Sequence, residues 1–446
     1  MLILFTPVGD TDPVRNYHDG AMLHIIRHYP VDKVILFMTK EMMKKEAEAG
    51  LYTKGIKRIK DISIEYIKSE ITEPQNYEEL SPLLTAFDNY YRDDTHKDAE
   101  WLVNISSGTP QMKTIMSIIG IDYPRVTAVQ VTSPERGSNR KAPPCRDGEE
   151  GADMLEFNED DAENAPNRCS EPSLNMIHRY GLRLQIESLV RNYEYNSALQ
   201  IVNQHPSLFS ENTQKLLQHS IYRILLKVKK ANECMSYYDG QPLVRQSAEI
   251  MEYYRLMELD QKKGNISGFI IKLSPILMKL GEKYIQDVWN YPLKNIGVMT
   301  KEKGLVITEA RLQKNEPGFL AYLNKQFHNK FGERVISFII LLYLSQYLSE
   351  VSICPNMSKE NQEKVNRIFS QLRIVEEQVR NKVAHTMLNI DEDDLERLTI
   401  DKSVKGFGTK KILSDLREII MIIYGKSITA DYDLLNEYII QSMKDI

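Results

Sequence analysis

The chain changes character near residue 174, and that change limits what it can fold into. Before it, short apolar or β-branched runs at Leu2–Phe5, Val34–Phe37, Ile62–Ile67, Trp101–Ile105 and Val126–Val131 are separated by helical patterns at about 18–29, 41–49, 76–92 and 109–120. Such alternation predicts a parallel, doubly wound sheet with helices on both faces. After it, helical periodicity dominates, through Leu182–Tyr193, Thr213–Val228, Pro242–Asp260, Gly268–Trp289 and Glu333–Ser349 to stretches at about 358–388, 409–424 and 430–444. The expected class is α/β plus all-α. A Rossmann-like N-terminal domain would occupy 1–173, a helical connector 174–295 and a C-terminal helical domain 296–446, with Tyr291-Pro292 and Gly297 marking the second boundary.

Residues 137–173 interrupt the first pattern with Pro143-Pro144 and an acidic run, Asp147 to Glu163, that contains no Lys or Arg. Such a run reads as a solvated loop or hairpin on the edge of the first domain. The net charge of -5 offers no broad basic surface, so stable binding to double-stranded DNA is not expected. No apolar run has the length of a membrane span, and Met1-Leu2-Ile3-Leu4-Phe5 reads as a strand rather than a signal peptide. Cys145, Cys169, Cys234 and Cys354 lack metal-ligand spacing, and the nine histidines form no metal motif. The expectation is a cytoplasmic protein with reduced thiols, no membrane contact, no cofactor and no protein-built metal site.

Two segments carry candidate chemistry. The first is the turn after strand Trp101–Ile105, Ser106-Ser107-Gly108-Thr109-Pro110-Gln111-Met112-Lys113. It joins a strand C-terminus to a helix N-terminus, where free N–H groups and a positive dipole end favour an anion, and Gly108 permits close backbone approach. An ordinary capped helix start, with Ser107 or Thr109 as the cap, fits the same residues. Neither a Walker A loop nor a G-x-G-x-x-G fingerprint is present, which favours an unusual phosphate-bearing ligand. Thr6, Gly9 and Asp10 after the first strand, Thr39 and Lys40 after the second, and Thr132 after the last would rim the same crevice.

The second segment is Val379-Arg380-Asn381-Lys382-Val383-Ala384-His385. Val365, Ile368, Leu372, Val375, Val379 and Val383 form one buried helical stripe, and Arg380, Asn381 and His385 lie off it. A proton-carrying histidine beside a fixed positive charge suits metal-free phosphodiester cleavage. Basic residues near a helix C-terminus also suit the helix dipole alone. On an ideal helix Arg380 and His385 stand about 140° apart. They converge on one phosphate only if the helix distorts or a second copy completes the site, so the motif points to a homodimer.

In this order, the two segments resemble the CRISPR-associated CARF–HEPN ribonucleases of type III-A systems. Asn104 to Met112 resembles the CARF ligand loop, supported by Phe5-Thr6-Pro7-Val8-Gly9 and Asp19-Gly20-Ala21-Met22. Arg380 to His385 is similar to the HEPN pattern of an Arg and a His with about four to six residues between them. The resemblance covers nearly the whole chain in domain order. It implies a CARF domain that binds a cyclic oligoadenylate at Thr6, Gly9, Asp10, Thr39, Ser106, Ser107, Gly108, Thr109, Gln111 and Thr132, with cyclic hexa-adenylate favoured over tetra-adenylate. It implies a homodimeric HEPN endoribonuclease acting on single-stranded RNA, with Arg380, His385 and Asn381 as its catalytic set. Some CARF domains also degrade their activator slowly, and Ser106, Ser107 and Thr109 stand where that would occur. The alternatives are a nucleotide-sensing regulator with a non-catalytic helical effector, a small-molecule enzyme using the α/β crevice, and a HEPN scaffold whose Arg380 and His385 serve only an interface.

Overall fold

The computed structural model describes residues 1–134, 148–245, 249–300, 302, 304–328, 331–380, 382–383, 389–400, 406–429 and 431–444. They fall into two compact units, Met1–Tyr180 and Gly181–Ile446.

The first unit is built on a six-stranded sheet: β1 (Leu2–Pro7), β2 (Lys33–Met38), β3 (Ser63–Lys68), β4 (Glu100–Asn104), β5 (Val126–Val131) and β6 (Cys169–Ser170). The spatial order is β3-β2-β1-β4-β5-β6. All pairings are parallel except β5–β6, so the sheet is mixed rather than wholly parallel. The last strand returns along the edge and needs no crossover to pair antiparallel. The central strands are apolar on both sides because both faces are covered. Ile3, Phe5, Ile35, Phe37, Trp101 and Val103 pack with α4 (Ser81–Arg92) and α5 (Pro110–Asp122). Leu4, Val34, Leu36 and Leu102 pack on the other face with α1 (Ala21–His28) and α3 (Leu51–Ile59). Between these two helices in the chain lies α2 (Lys40–Ala49), which Thr39 caps and Gly50 ends at φ 62°. The helix α3 is not part of the sequence expectation.

The acidic segment is not a solvated loop. Its described part forms α6 (Gly148–Glu156) and a 3-10 turn at Glu159–Asp161, pinned by arginines from α1 and α3. The partners of these carboxylates come from distant parts of the chain, which is why local charge density misled.

The second unit is mainly helical. It takes up most of α7 (Asn175–Arg191) and continues with α8 (Tyr195–Gln204), α9 (Glu211–Ile224), α10 (Val228–Cys234), α11 (Glu249–Lys262), α12 (Ile266–Ile271), α13 (Leu273–Lys283), α14 (Glu309–Asn315), α15 (Pro317–Gln326), α16 (Phe338–Val351) and α17 (Lys359–Val375). Three helices follow at Glu392–Thr399, Thr409–Tyr424 and Asp431–Ser442. The helical expectation fails locally. Gly297–Thr300, Gly304–Ile307 and Arg334–Val335 form a small antiparallel sheet, with Gly304 at φ 72° closing its hairpin. One core joins α11 to α17 and Thr409–Tyr424, and another gathers α7 to α9 around Tyr432, Leu435 and Ile439. No helix among the described residues is long and apolar enough to cross a membrane.

Candidate functional site

The strands β1 and β4 lie side by side at the centre of the first unit's sheet, and the helices that follow them run to opposite faces. Their carboxyl ends therefore meet at a topological switch point, where open α/β sheets bind ligands. Asn104 organises the turn there. Its Nδ2 donates to Thr6 Oγ1 at 3.0 Å and Ser107 Oγ at 2.7 Å, and its Oδ1 accepts from Ser106 N at 2.8 Å. Gly9 and Gly108 touch backbone to backbone: a Cβ on Gly9 would lie 2.7 Å from Gly108 N. Gly108 also holds φ at 82°, a conformation that suits glycine. Asp12 ties the two turns together by accepting from Gly9 N and Met22 N and bonding Ser107. Burial pushes its carboxyl above the ordinary value despite these hydrogen bonds.

A polar cavity of about 320 Å³ opens beside the ends of β4 and β5. Ser106 and Thr132 line it, together with Arg15, His18, Lys113 and Arg168. Ser106 Oγ accepts from Val131 N at 2.8 Å, and Thr132 N donates to Arg168 O at 3.1 Å. The other candidates stand around or beneath it. Thr6 and Ser107 are fully buried in the turn. Thr109 caps α5 and donates to Pro74 O at 2.7 Å. The half-buried Gln111 keeps its Oε1 without a partner among the described residues. Thr39 caps α2, and Asp10 pairs with Lys45 at 2.7 Å; neither lines the cavity. Sequence reasoning missed Arg15, His18 and Arg168 altogether. Lys113 stood in the quoted turn without a role.

Behind the cavity lies a buried ionic network. Asp19, His24 and Asp160 bring potential ligand atoms within 4.8 Å of one another. Guanidinium groups already hold the carboxylates: Arg27 Nε meets Asp19 Oδ2 at 2.7 Å, and an Arg168 nitrogen meets Asp160 Oδ2 at 2.6 Å. The donor set fits an ion-pair network better than a metal centre. Burial alone would raise the Asp19 carboxyl, but hydrogen bonds from His24 and Arg27, the Arg27 charge and a hydrogen bond from Asn158 hold it down to about 2. A depressed carboxylate stabilises the fold above its unfolded value and loses that contribution as pH falls through the folded one. The first unit should therefore lose about 2 kcal/mol from this group as pH falls from the ordinary carboxylate range toward about 2. Acid unfolding of Asp19→Asn should lack that component.

In the second unit α17 does not continue as an α-helix. Glu376–Arg380 forms a π turn, a distortion frequent at functional sites. Val375, Val379 and Val383 are buried, whereas Arg380 is half-buried at the end of the turn. The buried Glu376 accepts from Ser274 Oγ at 2.6 Å and from an Arg373 nitrogen at 2.8 Å, which anchors the turn to α13. Asn381 and His385 lie outside the described residues.

Three consecutive family descriptions match the chain: the Cas_Csm6 CARF domain at 63–169, the Csm6 6H domain at 172–224 and the Cas_Csm6 HEPN domain at 225–440. The chain belongs to the Csm6 family of CARF–HEPN CRISPR accessory ribonucleases. Its Csm6 relatives include the CRISPR system endoribonuclease Csm6 of Enterococcus italicus, 27% identical over 100% of both chains. The Mycobacterium tuberculosis Csm6 endoribonuclease is 30% identical over 51% of this chain and 54% of its own. The solved structure of Enterococcus italicus Csm6 bound to cyclic hexa-2'-fluoro-hexa-dAMP shares the fold over 100% of this chain and 99% of its own, with a TM-score of 0.67 and 23% identity. In Csm6 terms, the switch-point cavity lies in the CARF part and Arg380 in the HEPN part.

Proposed function

We propose that this chain is an endoribonuclease switched on by a cyclic oligoadenylate, with cyclic hexa-adenylate the favoured ring, and that it cuts single-stranded RNA without a metal ion in type III CRISPR antiviral defence in the cytoplasm. The carrying observation is the cationic, polar cavity at the CARF switch point, in a chain whose HEPN part sets Arg380 at a π turn. Arg15, Lys113 and Arg168 suit the phosphodiesters of a ring nucleotide, and the relative that shares the fold binds a cyclic hexanucleotide analogue. The hydroxyls of Ser106, Ser107 and Thr109 are engaged in hydrogen bonds to Val131, Asn104 and Pro74, which favours holding the activator over degrading it.

The reaction is transesterification. The RNA 2′-OH attacks the adjacent phosphorus, the bond to the next 5′-oxygen breaks, and the products carry a 2′,3′-cyclic phosphate and a 5′-OH. His385 moves the proton, Arg380 stabilises charge on the phosphorane-like transition state, and Asn381 orients the histidine or a phosphate oxygen. A homodimer brings two such sets to one cleft.

The test is cleavage of a fluorescent single-stranded RNA in EDTA, with cyclic hexa- and tetra-adenylate added separately. Cleavage with the hexamer in chelator is expected. Binding of either ring without cleavage would favour a non-catalytic effector. Cleavage only when a divalent ion is restored would overturn the metal-free mechanism.

A further inference from the structure

We propose that Arg168 and Lys113 form a phosphodiester-binding pair on the wall of the CARF cavity, and that the acidic segment Asn158–Asp161 is the clamp that orients the arginine. The inference deepens the sensor reading and rests on it. Only 7% of the Arg168 side chain is exposed, yet it lines the cavity. Its guanidinium is fixed by Asp160 Oδ2 at 2.6 Å, Thr132 O at 2.8 Å and Asp19 O at 3.3 Å, and its backbone N–H donates to His24 Nε2 at 3.0 Å. Its Nε keeps a buried donor with no partner among the described residues. Lys113, half-buried at the start of α5, lines the same cavity and makes no side-chain hydrogen bond or ion pair among the described residues.

The clamp is itself held from several sides. Asn158 Nδ2 donates to Asp19 Oδ1 at 2.7 Å, Asp19 N donates to Asp160 Oδ2 at 2.8 Å, and Asp161 takes Arg27 at 2.8 Å and Arg58 at 2.9 Å. The carboxylate among the described lining residues, Asp19, is neutralised by its two-point contact with Arg27. The cavity thus gathers Arg15, Lys113 and Arg168 on its lining, with Arg168 oriented by its ion pair to Asp160. A planar guanidinium held at fixed orientation matches two oxygens of one phosphodiester, whereas a lysine supplies a point charge.

The test measures binding of cyclic hexa-adenylate and cyclic tetra-adenylate to the full chain between about 50 and 200 mM salt. Arg168→Ala and Lys113→Ala should each weaken binding about tenfold or more, and each should flatten the dependence of log K on log salt by about 0.7 to 0.9. Asp160→Asn should weaken binding with the slope retained, because it loosens the hold on Arg168 and leaves both phosphate-binding cations in place. Arg168→Lys should keep the slope but not the affinity. The Lys113→Ala variant guards against misfolding, since Lys113 makes no side-chain hydrogen bond or ion pair among the described residues. An unchanged slope in both alanine variants, whatever their affinity, would overturn the pair while leaving the sensor reading intact. Failure of the unaltered chain to bind either ring would overturn both.

Discussion

Replacing His385 by alanine should lower activator-stimulated RNA cleavage by about 10²- to 10⁴-fold, the range general acid–base groups contribute. Binding of the activator should remain at the level of the unaltered chain, because the CARF cavity is built wholly within residues 1–180. Arg380→Ala should cost about 10²- to 10³-fold, as expected for loss of a donor aimed at transition-state charge. Arg380→Lys should not restore the rate, because a point charge cannot reproduce the planar fork. Single-turnover cleavage at saturating activator, with binding measured in parallel, decides the matter. Full activity in His385→Ala would remove the histidine from the mechanism. Loss of activator affinity in the same variant would instead indicate a damaged fold.

The second large effect concerns stability. Arg223, Glu252 and Arg255 are 0%, 0% and 1% exposed. Glu252 accepts from Arg223 at 3.1 and 2.7 Å and from Arg255 at 2.5 Å. Arg223 also donates to Leu243 O and stands over the Tyr432 ring, while Arg255 reaches Thr429. The triad thus joins α9, α11 and the approach to Asp431–Ser442 through one carboxylate. Glu252→Ala would take the shared carboxylate away from two buried guanidinium groups, a change that costs about 3 to 5 kcal/mol. Chemical denaturation should show that loss as a lower midpoint for the second unit. A loss below about 1 kcal/mol would mean that water or a rearranged partner reaches the site. Replacing all three residues by apolar ones of matching volume should cost less than Glu252→Ala, because the carboxylate and its two guanidinium partners are then removed together.

The sheet was legible because its central strands are buried on both faces. That burial writes continuous apolar runs such as those in Leu2–Pro7 and Lys33–Met38, and the order of turns then places the switch point. The helix α3 escaped notice because it is short, begins directly after Gly50 and carries Gly55 and several basic residues. The small sheet at Gly297–Ile307 escaped because strands of four residues do not stand out among helices. At the candidate sites, the glycine turn and the Arg–His motif were visible as local patterns. Arg168 was not, since its placement depends on carboxylates at Asp160 and on the end of β5, which meet it only in three dimensions. Likewise, nothing local marks Glu376 as a partner of Ser274, a residue on another helix.

The widened turn at Glu376–Arg380 makes the aim of Arg380 depend on chain length. A π turn holds one residue more than the α-helix it interrupts. The phase of Arg380 relative to the valine stripe of α17 therefore depends on how many residues the turn contains as well as on which they are. Removing one would let the helix close into regular geometry and swing the arginine by about 100°. Along most of this helix a conservative exchange and a one-residue deletion differ in degree. Here they differ in kind, because the exchange alters a side chain while the deletion re-aims Arg380.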